Sequence, residues 1–415
     1  MIAQGSANRR TFPDSRLASE SAPAEIASRP APPRLVSLDV FRSLVIAAMT
    51  FVNYLSPVKN TPAWAKHRPP ELEGYTFVDV VFPAFLFMVG IAIPFALQRR
   101  LERGDSLPTI VGKILLRTGG LLLLGVITAN DHMYSPEVTG LSKSLWFFLT
   151  LLCAVAICTP LPMQNRKLRL AIQVLAAVGL VVLLCVYRGK DEAGNIVWLE
   201  HSYWGMLGMI GWAYLASSLC WLIFRDNSTA LMGIMGLMLV LFIGGKHGAL
   251  DWLGPVGNFV NVGINFGTNA ATVMMGVLVA NWLRDPATAA RPYDRLVSIA
   301  AFGIGLYVAG CLLRPLHGIN KSAHTDSYGL VTGGISCLVF AAVYFIVDIL
   351  QKRRWSGFLV PIGQNALLAY LLPYMGLSFH WWNSGWLGAG NAAAMTVVLL
   401  ALTWALSRLQ IRMRL

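Results

Sequence analysis

Apolar residues form long runs along the whole chain, and short polar or charged segments separate these runs. Most runs approach the roughly 20 residues that a helix needs to cross the hydrocarbon core of a bilayer. The every-second-residue alternation of a transmembrane barrel is absent. The pattern therefore predicts an all-α, polytopic membrane bundle of about twelve transmembrane helices. The predicted spans cover residues 37–56, 76–97, 109–129, 145–161, 169–187, 204–224, 229–245, 268–284, 296–316, 327–349, 357–378 and 391–408.

Lysine and arginine are unevenly distributed between the two sides of this predicted bundle. The loops on the side of the N-terminal tail, together with both termini, carry 21 of these residues, and the loops on the other side carry nine. Cytoplasmic loops of membrane proteins are the more positive ones. Both termini are therefore predicted to be cytoplasmic, and the loop that contains His67 is predicted to face outward.

Composition supports a membrane protein and argues against nucleic-acid binding. Of the 415 residues, 56% are hydrophobic and 13% are charged, against about 25% charged residues in soluble proteins. The net charge of +13 comes from basic residues in short loops, and no nucleic-acid-binding motif is present. All six cysteines lie in apolar runs without metal-ligand spacing, so we expect them to be packing residues and expect no metal site.

Two regions follow from this pattern. Residues 1–33 are rich in Ala, Ser, Pro and Arg and lack apolar periodicity, which indicates a disordered cytoplasmic tail. Residues 34–415 are predicted to form the transmembrane domain, whose surroundings are the lipid bilayer.

The loop between the first two spans carries the strongest candidate for chemistry. His67 lies between Lys66 and Arg68, and two neighbouring cations favour the neutral imidazole that a base or nucleophile needs. Asp79 begins the second span, where it either makes a favourable helix-terminus contact or orients His67. Asn53 ends the first span, where its amide either caps and packs the helix or donates to a ligand. An inert loop histidine is the alternative for His67 itself.

Five further polar residues lie inside or beside apolar runs. Asp39 and Arg42 are three residues apart on one helix face, where they form either an interfacial anchor or a functional pair. Lys113 and Arg117 are four residues apart, and they require an anionic partner such as Asp39 or a phosphate-bearing ligand. Asn365 lies in a proline-containing run, where it either lines a cavity or bonds a neighbouring helix.

Several short motifs resemble those of the heparan-α-glucosaminide N-acetyltransferase family, a lysosomal transmembrane acetyltransferase with bacterial relatives that carry a DUF5009-type domain. Together the motifs extend over most of residues 34–408, and the N-terminal ones are the most specific. The motifs are LDVFR (38–42), FVNY (51–54), KH (66–67), YTFVDVVFPAF (75–85), GKI (112–114) followed by Arg117, INK (319–321), SY (327–328), VD (347–348) and GQNA (363–366).

The resemblance implies a ten-helix core, acetyl-CoA as co-substrate, and an amino sugar or glycan as acceptor. It also implies that His67 is the catalytic histidine after the first core helix and that Asn53 assists it. The hairpin at 145–187 is then an insertion into the core. Two positions depart from the family pattern, because Ser43 replaces a glycine and the segment 205–211 lacks an arginine.

We therefore predict an enzyme of the bacterial cytoplasmic membrane that moves an acetyl group from cytoplasmic acetyl-CoA to an acceptor on the outer side. The predicted catalytic residues are His67, Asn53 and Asp79, and the predicted donor-binding residues are Asp39, Arg42, Lys113, Arg117 and Asn365. The alternative is an amino-sugar or oligosaccharide transporter without acyl transfer, since proline-broken helices suit transporters. A non-catalytic partner in envelope assembly is a third interpretation, and a homodimer is left open.

Overall fold

A computed structural model describes residues 35–158, 165–201, 204–375 and 385–409, so the predicted tail at 1–33 lies outside the described residues. The apolar runs are helical. The main helices, numbered in chain order, are α1 Val36–Leu55, α2 Phe77–Glu102, α3 Leu107–Ala129, α4 Lys143–Cys158, α5 Arg166–Val186, α6 Gly205–Phe224, α7 Ser228–Lys246, α8 Asn269–Arg284, α9 Pro292–His317, α10 Asp326–Tyr344, α11 Leu359–Gly363, α12 Ala366–Leu371 and α13 Gly385–Arg408.

Shorter elements connect these helices. The short helical segments of one or two turns are Ala63–Ala65, Pro136–Thr139, Asp251–Leu253, Gly254–Val260, Pro286–Thr288, Arg354–Ser356 and Leu372–Met375. Two π-helical segments, Gly263–Thr268 and Phe345–Ile349, extend α8 and α10. Strands β1 Gly189–Lys190 and β2 Ile196–Val197 pair antiparallel in the loop after α5.

The described residues contain ten helical segments that are long and apolar enough to cross a membrane, which makes the chain a multi-pass membrane protein. Two of the twelve predicted spans differ from this count. The run at 145–161 forms α4, whose 16 residues are fewer than the roughly 20 of a full span. The run at 357–378 is interrupted, because α11 ends at Gly363 and α12 begins at Ala366. The backbone leaves the helical path at Asn365, whose φ and ψ are −124° and 37°, and residues 376–378 lie outside the described part.

The centre of the bundle is the close crossing of α2 and α8. A Cβ atom at Gly90 would overlap the backbone carbonyl of Val273, and one at Gly276 would overlap the carbonyl of Phe87. Small residues at a crossing let two membrane helices approach backbone to backbone, which maximises their van der Waals contact. This crossing fixes α2, the helix whose first turn carries Asp79.

Helix α1 is held at its start by a distant carboxylate. The two oxygens of Asp348 accept hydrogen bonds from the backbone N–H groups of Val36 and Ser37, at 3.2 and 3.1 Å. These groups are among the N–H donors that a helix start cannot satisfy by itself. Further along α1, the Ser43 hydroxyl donates to the Leu359 carbonyl at 2.6 Å, which ties α1 to α11. Ser43, which stands where the resembling family has glycine, thus links two helices through a hydrogen bond.

Helices α4 and α5 form a hairpin at the edge of the bundle. They pack mainly on each other, and only Ala176 and Leu180 of α5 are buried. An aromatic cluster that includes Tyr134, Trp146 and Tyr187 joins the hairpin to the end of α3. The arrangement has the form expected of an addition to a core, and the ten-helix core plus insertion stays a prediction.

Candidate functional site

Two loops that are far apart in sequence meet at one end of the bundle. We call residues 56–76 the histidine loop and residues 318–325 the lysine loop. The backbone N–H of Gly74 donates to the carbonyl of Ile319 at 2.8 Å, and the Asn320 side-chain amide donates to the carbonyl of Pro70 at 2.7 Å. Arg314 makes a bidentate pair with Glu73, with N···O distances of 2.6 and 3.2 Å. The two loops are therefore held together around the start of α2.

Asp79 is the buried carboxylate on which the site is built. Its side chain is 0% exposed and lies in the first turn of α2. Oδ2 accepts hydrogen bonds from the backbone N–H groups of Thr76 (3.0 Å) and Arg68 (3.1 Å), and Oδ1 lies 2.9 Å from Nδ1 of His67. Thr76 and Asp79 form a capping box, in which each side chain bonds the backbone of the other. The helix start thus orients the carboxylate toward the histidine.

His67 is the half-exposed partner, with a side chain 39% exposed. An ionised carboxylate only accepts hydrogen bonds, so Nδ1 carries the proton that it shares with Asp79. In the neutral ring the other nitrogen, Nε2, then holds a lone pair. A carboxylate bonded to one imidazole nitrogen fixes the tautomer and orientation of the ring and leaves the second nitrogen as a base or nucleophile.

Lys321 of the lysine loop completes the site. Its Nζ lies 2.6 Å from Nδ1 of His67, 3.4 Å from Nε2 of His67 and 3.4 Å from Oδ1 of Asp79. If Nζ approached Nδ1 in the plane of the ring, it would lie farther from Nε2 than from Nδ1 by nearly the width of the ring. Nζ therefore approaches the ring broadside, and the Nδ1 proton remains directed at Asp79. Burial of the Lys321 amine lowers its pKa, and the nearby Asp79 carboxylate opposes this effect.

A narrow pocket opens beside these groups. Its space of about 470 Å³ includes the open solvent at its mouth, so the enclosed part is small, and its wall is largely apolar. The polar side chains that line it are Asn53, His67, Lys321 and Tyr370. The Asn53 amide makes no hydrogen bond with the described residues and is free to donate to a bound molecule.

His324 forms the back of the lysine loop. Nδ1 lies 3.2 Å from the Asn269 amide oxygen, and the ring packs edge-on against Phe82, a pocket-lining residue. Burial, with a further effect of the Lys321 charge, lowers the pKa of His324 to about 4. His324 is therefore neutral at physiological pH, and it supports the pocket wall without adding charge. Its φ of 47° lies in the left-handed region, where a non-glycine residue stores strain.

A second histidine–carboxylate pair lies at the two ends of the lysine loop. Nδ1 of His317 is 3.1 Å from Oδ1 of Asp326, and the Asp326 side chain is 0% exposed. The Ser327 backbone N–H also donates to Oδ1, whereas the buried Oδ2 has no partner among the described residues. The pair joins the end of α9 to the start of α10 and so closes the loop that carries Lys321.

A larger cavity lies beside the glycine- and asparagine-rich segment after α7. It holds about 980 Å³ of open space and is lined by residues between Phe242 and Ile264, including Lys246, Asn258 and Asn261. None of these residues lines the His67 pocket. The two spaces are therefore separate within the described residues.

The predicted donor-site residues fall into two groups. Asp39 and Arg42 form the expected pair on α1, with an N···O distance of 3.7 Å. Asn365 is buried at the break between α11 and α12. The backbone of Gly363, two residues earlier, lies against the Asp39 carbonyl and the Ser43 hydroxyl. Asp39, Arg42 and Asn365 therefore belong to the same part of the bundle.

Of the two partners expected for Lys113 and Arg117, Asp39 pairs with neither cation, and a phosphate-bearing ligand stays a prediction. Lys113 pairs with Asp105, at 2.8 Å, because the loop before α3 returns this carboxylate to the first turns of the helix. Arg117 lies over the ring of Tyr214 on α6, with its guanidinium carbon 4.6 Å from the ring centre. The prediction paired the two cations with Asp39 by charge alone. In the structure α3 packs against α6, which brings the aromatic ring of Tyr214 to Arg117.

The contact between the two loops has a pH dependence that can be measured. The hydrogen bond from Arg314 lowers the pKa of Glu73 below its ordinary value of 4.5. A carboxylate whose folded-state pKa is depressed stabilises the fold above its unfolded pKa, and this contribution is lost as pH falls through the lower value. We expect Glu73→Gln to lower the Tm at about pH 6, and the difference from wild type to shrink below about pH 4.

Thermal unfolding of the detergent-solubilised protein over this pH range provides the measurement. Glu71→Gln is the matched control, since Glu71 is an exposed residue of the same loop. A Tm difference for Glu73→Gln that stays constant down to about pH 3 would contradict the assigned ion pair.

The part of the chain that carries His67 and Asp79 is similar in sequence to known proteins. The family model described as "Domain of unknown function (DUF5009)" matches residues 35–257, which is more than half of the chain and includes His67 and Asp79. The human heparan-alpha-glucosaminide N-acetyltransferase is 37% identical over 102 residues, and the mouse protein of the same name is 37% identical over 100 residues. Each match covers 24% of this chain and 14% of the relative's length.

Lys321 was the site residue that sequence reasoning did not assign. It lies 254 residues from His67 and outside the segment matched by the family model. The INK motif at 319–321 was the available signal, but nothing local connects it to the histidine. The family placement, by contrast, is confirmed by the matches above. The chain belongs to the DUF5009 family.

Proposed function

We propose that this protein is a membrane acyltransferase that moves an acetyl group from cytoplasmic acetyl-CoA to the amino group of a sugar or glycan on the outer side of a bacterial cytoplasmic membrane. The observation that carries the proposal is the pairing of His67 with the buried Asp79 at the wall of an apolar pocket. The named activity of the similar human and mouse proteins supports the same reaction class.

The first step is assigned to Nε2 of His67. In one route Nε2 attacks the thioester carbonyl, so that the Nε2–C bond forms and the C–S bond breaks with its electron pair on sulfur. Asp79 then stabilises the positive charge that develops on the ring. In the other route Nε2 takes a proton from the acceptor amine, which attacks the thioester directly. Both routes require the neutral, Nδ1-protonated tautomer that the Asp79 contact favours.

Asn53 is assigned to the oxygen of the reacting carbonyl. Its amide lines the same pocket as His67, and a donor directed at a developing oxyanion strengthens as the transition state forms. When the amine attacks an acyl-imidazole, the new N–C bond forms and the Nε2–C bond breaks. The amine then loses a proton to the imidazole, and the imidazolium passes that proton to the CoA thiolate, which yields free CoA and restores the neutral, Nδ1-protonated ring.

Donor binding is assigned to the α1 and α11–α12 region and to α3. Arg42 and Lys113 supply positive charge for the phosphates of CoA, and Arg117 lies deeper on α3. Asp39 and Asn365 would hold the uncharged part of the donor. The uneven distribution of basic residues supports a cytoplasmic entrance on this side.

Purified protein in liposomes tests this function directly. We expect acetyl-CoA and glucosamine together to yield N-acetylglucosamine and free CoA, with neither product formed when protein is omitted. Mass spectrometry of the sugar and a thiol assay for CoA measure both products. Thiol release without any acetylated sugar would restrict the protein to thioester hydrolysis and would contradict an amino-sugar acceptor.

The broken helix keeps a transporter as the second candidate. Buried Asn365 lies where α11 gives way to α12, and interrupted helices form the substrate sites of many transporters. Uptake of labelled N-acetylglucosamine by the same liposomes without CoA would favour this function over acyl transfer.

A further inference from the structure

We propose that Nζ of Lys321 is a second acyl acceptor in the His67 pocket, so that this lysine becomes N-acetylated when no external amine takes the acetyl group. The inference rests on the proposed function, because His67 must first carry the acetyl group. It assigns a modification site to a residue that acyl transfer to a sugar does not itself require.

The placement of the amine is the first support. Lys321 and His67 line one pocket, and Nζ lies 3.4 Å from Nε2, the atom that would carry the acetyl group. The broadside approach leaves Nζ outside the plane of the imidazole. An acyl group on Nε2 lies close to that plane, and a nucleophile must reach its carbonyl carbon from above or below the plane. The flexible lysine stem therefore needs only a small rotation to bring Nζ to the carbonyl carbon.

The loop that presents this lysine is itself well held. Asn320 donates to the carbonyl of Pro70 at 2.7 Å and accepts from the backbone N–H of Ala323 at 3.0 Å. The His317–Asp326 pair closes the two ends of the loop. Reacting groups held at contact distance gain a large effective concentration over groups that meet from solution. Lys321 has this advantage, and an amine free in solvent does not.

The chemical state of the amine is the second support. The Lys321 side chain is 18% exposed, and burial lowers its pKa. A larger fraction of Lys321 is therefore unprotonated near neutral pH than of an exposed lysine, and only the unprotonated amine attacks a carbonyl. Lys66 provides the comparison, since it is the exposed sequence neighbour of His67.

The step balances without any further reactant. Nζ attacks the carbonyl carbon of acetyl-His67, the Nζ–C bond forms, and the Nε2–C bond breaks with its electron pair on Nε2. The proton that leaves Nζ passes to the imidazole, whose other nitrogen remains bonded to Asp79. The resulting amide is neutral and bulkier than the amine. It removes a positive charge 3.4 Å from Asp79 and narrows the pocket, so modified protein is expected to lose turnover.

The experiment compares acetylation of two lysines in intact protein. Protein in liposomes is incubated with acetyl-CoA without glucosamine, quenched and digested with chymotrypsin, and the acetylated fraction at each lysine is read by mass spectrometry. We expect acetylation of Lys321 to exceed that of Lys66, to disappear in His67→Gln, and to fall in wild type when saturating glucosamine is added. Thermal unfolding checks that His67→Gln is folded.

Failure of this inference is distinguishable from failure of the proposed function. Formation of N-acetylglucosamine with Lys321 unmodified overturns the lysine proposal alone. Equal acetylation of Lys321 and Lys66, or acetylation of Lys321 that persists in a folded His67→Gln, also overturns it, because the amine then reacts directly with the thioester. Absence of both acetylated sugar and acetylated lysine overturns both proposals. If His67→Gln does not fold, the competition by glucosamine in wild type decides the question.

Discussion

Replacing His67 with alanine is expected to lower the rate of acetyl transfer about 10²–10⁴-fold, the range that a positioned base or nucleophile contributes. The physical reason is the loss of Nε2, the pocket nitrogen whose lone pair the Asp79 contact leaves free. The fold should survive, since His67 is partly exposed and lies in a loop. Initial rates of N-acetylglucosamine formation measure the effect, with thermal unfolding as the check on folding.

His132→Ala is the matched control for this variant. His132 is an exposed histidine in the loop after α3 and has no place in the His67 pocket. Its replacement should leave the rate near that of wild type. Full activity of a folded His67→Ala would remove the histidine from the mechanism.

Asp79→Ala should be the most damaging single change to the site, because it affects both stability and rate. The carboxylate is 0% exposed and receives hydrogen bonds from the backbone of Thr76 and Arg68 and from His67. Removing one partner of a buried charged pair costs about 3–5 kcal/mol. The rate should fall as well, since the imidazole loses the group that fixes its tautomer.

The comparison with asparagine separates these two effects. Asp79→Asn keeps the volume and one oxygen acceptor, so it should recover part of the stability and little of the rate. Thermal unfolding and initial rates of the two variants, measured together, test this division. Asp294→Ala is the control, because Asp294 pairs with Arg291 on the surface and such pairs contribute only about 0–1 kcal/mol. Wild-type rate in both Asp79 variants would exclude an orienting role.

Much of the helical architecture was predictable because it depends on local sequence. Apolar runs of membrane length must form helices, since a bilayer offers no partner for free backbone groups. The predicted spans therefore match α1, α2 and α3 within a few residues. Two predicted spans depart from this match, because the run at 145–161 forms the shorter α4 and a polar pair interrupts the run at 357–378. Gln364 and Asn365 interrupt an apolar run whose overall hydropathy still suits a span.

The local part of the site was also accessible from the sequence. His67 and Asp79 are only 12 residues apart, and the start of the second apolar run already placed the carboxylate at the end of the loop that carries the histidine. By contrast, charge spacing did not identify the partners of Lys113 and Arg117. Asp105 reaches Lys113 through a turn between α2 and α3, and Tyr214 reaches Arg117 through the packing of α3 on α6.

The sequence by itself determined that this chain crosses a membrane repeatedly and carries a histidine and an aspartate near the start of one helix. Hydropathy and helix capping are local properties, so no knowledge of neighbouring helices was needed. Only the tertiary structure decided that Lys321 joins them from 254 residues away. That contact depends on the docking of the lysine loop against the histidine loop, through Gly74 with Ile319 and Glu73 with Arg314. Such long-range contacts arise from how helices and loops pack, and no local pattern encodes them.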